Sequence, residues 1–100
     1  MPRTVHLLIS GIVQGVGYRW WTTRTAEALG LQGWVRNLHD GRVEVLAHGA
    51  EAGIEALVKA CAVGPSGAVV EHVRSAERSE TPEVGFHQVS TASDPLDSQP

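Results

Sequence analysis

The sequence predicts a single α+β domain in which two helices cover one face of an antiparallel sheet. Three observations predict it. Val5, Leu7 and Ile9 alternate along one short segment, and Val43, Val45 and Ala47 along another, which is the period of a strand with one buried face. Ile54, Leu57, Val58 and Cys61 fall instead at i, i+3, i+4 and i+7, which is one stripe of a helix. The two periods recur along the chain as strand, helix, strand, strand, helix, strand, with an extra short strand after them. That order is the split βαβ, or ferredoxin-like, arrangement.

The elements follow in order. Residues 4–10 read as the first strand. Gly11, Gly15 and Gly17 then punctuate a loop. A helix follows over residues 18–29, and Gly30 stands where a helix-ending glycine is expected. Residues 32–38 form the second strand, with Trp34 and Val35 favouring extended backbone. Asp40-Gly41 is a hairpin signal, and residues 42–47 return as the third strand. In the second helix Glu55 and Lys59 form a supportive i, i+4 pair, and Gly64-Pro65 stops it. Residues 68–76 form a fourth strand of untidy alternation. Residues 84–89 form the short extra strand, with Val84 and Phe86 on one face. Residues 91–100 are rich in Ser, Asp and Pro and are expected to be a disordered tail, leaving residues 1–90 as the domain.

If the third strand is antiparallel to both the first and the second, those two run the same way. The loop after the first strand and the C-terminal end of the second then share one end of the sheet. They lie roughly 10 Å apart at backbone level, because one strand at about 4.8 Å spacing separates them.

Composition narrows the function. The chain has 100 residues, 42% of them hydrophobic and 19% charged, which suits one packed core. Its apolar runs are short, the stretch from Val5 to Ile9 being broken by His6, and fall far below the ~20 residues a membrane helix needs. No secretory signal opens the chain. A single cysteine, Cys61, excludes an internal disulfide and a Cys-based zinc site. A net charge of −3 argues against a nucleic-acid partner, which usually needs a basic face. The expectation is a cytoplasmic monomer with no nucleic-acid or membrane partner.

The loop Gly11-Ile12-Val13-Gln14-Gly15-Val16-Gly17-Tyr18-Arg19 lies between a strand and a helix. Its backbone N–H groups and the helix N-terminus make an anion cradle. No lysine is present for a P-loop, and Trp20 stands where a dinucleotide motif needs its third glycine. Arg19 falls in the first helical turn, where a cation opposes the macrodipole. An anion held between Arg19 and the loop amides reverses the sign, and arginine matches phosphate oxygens bidentately. On these residues alone, a structural glycine turn with a solvated Arg19 is the favoured reading, because turns of this kind between a strand and a helix are common.

The same nine residues resemble the first signature of the acylphosphatase family, G-x-V-Q-G-V-x-[FY]-R. Gly33-Trp34-Val35-Arg36-Asn37, with Gly41, Val43 and Gly49 following, resembles the second. The likeness covers residues 4–89. It implies the ferredoxin-like fold and hydrolysis of acyl phosphates to a carboxylate and inorganic phosphate, with no metal or other cofactor. By the family pattern Arg19 and the backbone amides of Gly15, Val16, Gly17, Tyr18 and Arg19 hold the phosphoryl group, and Asn37 positions the attacking water. Phosphate is then product and inhibitor. The last strand departs from the family in lacking a basic or aromatic finish. From the residues alone, Asn37 reads first as a hairpin-flanking asparagine beside Asp40-Gly41, chosen for turn chemistry. The competing function is a non-catalytic ferredoxin-like module that binds phosphate-bearing ligands or nucleic acid.

The proposed site holds no acid or base, since asparagine does not titrate and arginine keeps its proton. An acyl phosphate tolerates this, because its leaving carboxylate is a weak base. The remaining candidates read as structure. His6, His39, His48, His72 and His87 show no metal-ligand spacing and are expected on the surface. Cys61 reads as a buried, inert thiol. Trp20, Trp21 and Trp34 are assigned to the core and to the rim of the site.

Overall fold

The computed structural model describes residues 1–96. The element order is β1 (Pro2–Ile12), α1 (Tyr18–Ala28), β2 (Gln32–Asn37), β3 (Val43–Ala50), α2 (Glu51–Cys61), β4 (Val69–Arg78) and β5 (Phe86–Gln88). Each expected element is present. The strands form one five-stranded sheet in the order β4-β1-β3-β2-β5. Val5, Leu7 and Ile9 of β1, with Val43, Val45 and Ala47 of β3, are buried on the helix-bearing face. There they meet Ile54, Leu57 and Cys61 of α2 and Tyr18 and Ala26 of α1.

The sheet is mixed rather than antiparallel, because β5 runs parallel to β2. The chain path requires this. Arg78 pairs with Thr4, Thr4 with His48 and His48 with Gln32, so the end of β4 and the start of β2 share one end of the sheet. Reaching the far side of β2 crosses four inter-strand steps, roughly 19 Å at about 4.8 Å each. The seven residues between Arg78 and Phe86 reach about 23 Å when extended. They can cross the sheet but cannot also travel its length, so β5 starts beside the start of β2 and runs with it.

That crossover covers the face opposite the helices. The Thr4 hydroxyl donates to the Glu80 carbonyl at 2.7 Å, and the Gln32 amide donates to the Pro82 carbonyl at 2.7 Å. His6, expected on the surface, is buried as a result. It alternates with the core residues of β1 and therefore lies on the second face. Its Nε2 is 2.6 Å from Oε2 of the fully buried Glu44. Arg36 Nε donates to Glu44 Oε1 at 2.6 Å, and the Leu96 N–H donates to Oε2 at 2.5 Å. The other histidines lie at or near the surface: His39, His72 and His87 are exposed and His48 is half-buried.

Part of the expected tail is also docked. Ala92 pairs with Leu38, and Pro95 is buried. Composition reports how poorly a segment forms a core of its own, and these residues instead use backbone groups to extend an existing sheet edge. The expectation of disorder over 97–100 lies outside the described residues.

Burial pushes the Glu44 carboxyl up, but the hydrogen bonds from His6, Leu96 and Arg36 outweigh it, and its pKa lies below the ordinary glutamate value. A carboxyl whose folded pKa is depressed contributes stability that is complete above its unfolded pKa of about 4.3 and is lost as pH falls through the lower folded value. Glu44→Gln should therefore be less stable than the parent at pH 7, by about 2–3 kcal/mol. The difference should shrink as urea unfolding curves are measured at successively lower pH below about 4. A difference that stays constant with pH would mean that the carboxylate charge does not carry the effect.

Candidate active site

The loop after β1 and the last residue of β2 meet at one end of the sheet. β3 lies between β1 and β2 and is antiparallel to both. Ile9 pairs with Val43 and Val43 pairs with Asn37, so Ile9, near the end of β1, lies two strand spacings from Asn37, roughly 10 Å. A cavity of about 140 Å³ opens there. Gln14, Gly15, Gly17, Tyr18 and Arg19 line it from the loop and α1, and Asn37 and Gln88 line it from β2 and β5. The register of three strands brings the loop and Asn37 together.

Gly15 and Gly17 have φ of 76° and 79°, in the left-handed region that favours glycine. A Cβ at either would meet nothing within 4 Å, so these positions are glycine for the backbone conformation and not for space. Gly17 is the N-cap of α1. No side chain caps the helix, and its first turn contains no acidic residue. The first-turn N–H groups therefore border the cavity with the positive end of the macrodipole uncompensated. Arg19 adds a full positive charge in that turn, and among the described residues no carboxylate pairs with its guanidinium. Such a concentration of positive potential in a small concave site suits an anion.

Of the residues the sequence points to, Gly15, Gly17, Tyr18, Arg19 and Asn37 all line the cavity. The Val16 side chain turns away and packs against the core. The Tyr18 side chain is buried, and its hydroxyl donates to the Cys61 carbonyl at 2.6 Å, which ties the start of α1 to the end of α2. Burial raises the Tyr18 phenol far above its ordinary value and pushes the Cys61 thiol up to about 11. Neither group ionises at neutral pH. Trp20 stands at the mouth of the cavity, 60% exposed, with the Arg24 guanidinium 5.5 Å from its ring centroid. Trp21 is half-buried against the core, and Trp34 lies on the opposite face of the sheet beneath Arg36.

Sequence reasoning missed two residues. The Gln14 amide donates to the Leu38 carbonyl at 2.7 Å and to the Arg42 carbonyl at 2.9 Å. It clamps the glycine loop to the β2–β3 hairpin that carries Asn37. The signal available was a long amide, with two donors, among glycines that need no such side chain. Gln88 reaches the cavity from β5, and nothing local in the sequence points to it.

Comparison with known proteins agrees with this geometry. Residues 5–88 match the family model described as acylphosphatase. The chain belongs to the acylphosphatase family. It is 50% identical over 86 residues to an acylphosphatase of Rhodospirillum rubrum, covering 86% of this chain and 94% of that one. Among solved structures it is similar to an acylphosphatase from Coxiella burnetii, at a TM-score of 0.85 and 35% identity over 88% of this chain and 93% of that chain. It is also similar to an acylphosphatase from Bacillus subtilis, at 0.84 and 36% over 89% and 99%. Hydrolysis of acyl phosphates is the activity of acylphosphatases, and the fold is the ferredoxin-like α+β sandwich.

Arg19, whose guanidinium has no carboxylate partner among the described residues, bears on stability. Positive charge beside positive potential costs about 0.3–1 kcal/mol. Arg19→Gln should melt a few degrees above the parent in phosphate-free, low-salt buffer. Saturating phosphate should raise the Tm of the parent by mass action and leave the variant nearly unmoved. A lower Tm for Arg19→Gln without anion would show that Arg19 supports the fold.

Proposed function

We propose that the chain hydrolyses acyl phosphates by in-line attack of water at phosphorus, without a metal. The Gly15, Val16, Gly17, Tyr18 and Arg19 amides and the Arg19 guanidinium hold the phosphoryl group. Asn37 positions the water. The observation that carries this reading is the convergence of Arg19, the two left-handed glycines and Asn37 on one small cavity.

The chemistry needs no protein acid or base. Phosphoryl transfer has a loose transition state in most analyses, so positioning and charge stabilisation dominate. The guanidinium and the helix amides take up charge on the equatorial phosphoryl oxygens. The Asn37 side chain can accept from the attacking water through its carbonyl oxygen and donate through its NH2 group. The water proton passes to a phosphoryl oxygen, and the carboxylate leaves without protonation. An alkoxide leaving group would need a proton that no residue here supplies, so phosphate monoesters are poor substrates. Acetyl and carbamoyl phosphate are fitting small substrates. No helix among the described residues is long and apolar enough to cross a membrane. We place the protein in the cytoplasm as a monomer, inhibited by its product phosphate and with no nucleic-acid partner.

Two experiments test the mechanism. Arg19→Gln should lose both turnover and competitive inhibition by phosphate, whereas Asn37→Ala should lose kcat by about 100-fold or more while phosphate still binds. Equal loss of phosphate affinity in both would contradict the division of roles. In heavy-oxygen water containing EDTA, turnover should continue and the label should appear in phosphate. Label in the carboxylate would mean attack at the acyl carbon, and arrest by EDTA would mean that a metal takes part.

A further inference from the structure

β5 does not end the pairing along the outer edge of β2. Val35 faces Gln88, and the Val89 N–H donates to the Val35 carbonyl at 3.0 Å. The chain then takes one extra residue, because Leu38 faces Ala92: three steps along the β2 side are matched by four on the other. Beyond that irregularity the ladder resumes. The Ala92 N–H donates to the Asn37 carbonyl at 3.1 Å, and the His39 N–H donates to the Ala92 carbonyl at 2.9 Å. Pro95 is buried next, and the Leu96 N–H ends the segment on the Glu44 carboxylate at 2.5 Å.

Asn37 is the last residue of β2, where a strand ordinarily frays. On one side it pairs with Val43 of β3. On the other side its carbonyl would be an open edge group, and Ala92 closes it. A peptide held on both edges leaves its side chain little backbone freedom. The Asn37 side chain alternates with Val35 onto the helix-bearing face and lines the cavity. The pairing is made through the backbone of a half-buried alanine, and its far end is fastened to a buried charge.

We propose that residues 91–96 are a strap that positions Asn37 for catalysis, with the Ala92 N–H as the positioning group. This rests on the assignment of Asn37 as the residue that aims the water. Residues 91–96 touch neither the glycine loop nor Arg19 through any of these hydrogen bonds, so loosening the strap should spare phosphate binding and slow the chemical step. Small displacements of a positioning group are costly in rate.

The test uses the full chain. Ala92→Pro deletes the donor to Asn37 and keeps the rest of the segment, and Ala92→Ser retains the donor. With acetyl phosphate, Ala92→Pro should lower kcat about three- to tenfold, with KM and the phosphate inhibition constant within about twofold of the parent. Ala92→Ser should behave as the parent. In an Asn37→Ala background Ala92→Pro should cause no further loss, because the strap acts through Asn37. Should Ala92→Pro fail to fold, as thermal unfolding would show, Leu96→Pro releases the far anchor from Glu44 and should give the same kcat-selective loss. An unchanged kcat overturns the strap, as does a kcat loss accompanied by an equal loss of phosphate affinity or fully additive in the Asn37→Ala background. If Asn37→Ala itself keeps the parental kcat, the role of Asn37 falls and the strap falls with it. If Asn37→Ala loses kcat and the strap variants do not, the strap alone falls.

Discussion

Everything in the site depends on β3 lying between β1 and β2. Eight residues of β1 and six of β2 pair with it, all antiparallel. Two strands antiparallel to the same neighbour run the same way. Hence the loop that leaves β1 and the residue that ends β2 come to one end of the sheet, two strand spacings apart. The Gln14 amide then closes that distance by donating to two carbonyls of the hairpin. A glycine loop is a compliant cradle by itself. Bolted to the hairpin, it keeps a defined position relative to Asn37, which is what a reaction governed by positioning requires.

The second face of the sheet is organised around one charge. Glu44 accepts hydrogen bonds from Arg36 of β2 and from the Leu96 N–H, and shares a third with His6 of β1. Among the described residues no buried side-chain N or O atom lacks a partner. A buried carboxylate with these partners is tolerable, whereas one that lost a partner would be costly. The register of β1, β2 and β3 and the docking of residues 91–96 are therefore mutually dependent. Among the described residues the helix-bearing face has no such centre and is held by apolar packing of β1, β2 and β3 against α1 and α2.

The division of labour between the two faces follows the chemistry. The site sits at one end of the sheet and takes its charge from Arg19 and the start of α1. Glu44, the buried carboxylate of β3, lies on the other face of the sheet. This buried charge is thus on the face of the sheet that does not carry Asn37 and the cavity. A site with positive potential and no titrating base matches a substrate whose leaving group is already a stable anion.

The sequence by itself determined the element order, the helix-facing core and the two signatures. Each is local: period two in β1 and β3, helical spacing in α2, and glycines within a span of nine residues. The nearness of the loop and Asn37 was also legible, because it follows from strand direction alone. Tertiary structure decided what depends on residues far apart in the chain. β5 is parallel to β2 because the crossover after β4 is just long enough to span the sheet. His6 and Glu44 are buried because residues 79–85 and 92–96 lie over a face that alternation marks as open. Gln14 finds its carbonyls, and Ala92 finds Asn37, through backbone groups that every residue carries. Backbone hydrogen bonding leaves no mark on side-chain composition, so a segment that reads as a polar tail can complete a strand edge, and only the folded chain shows it.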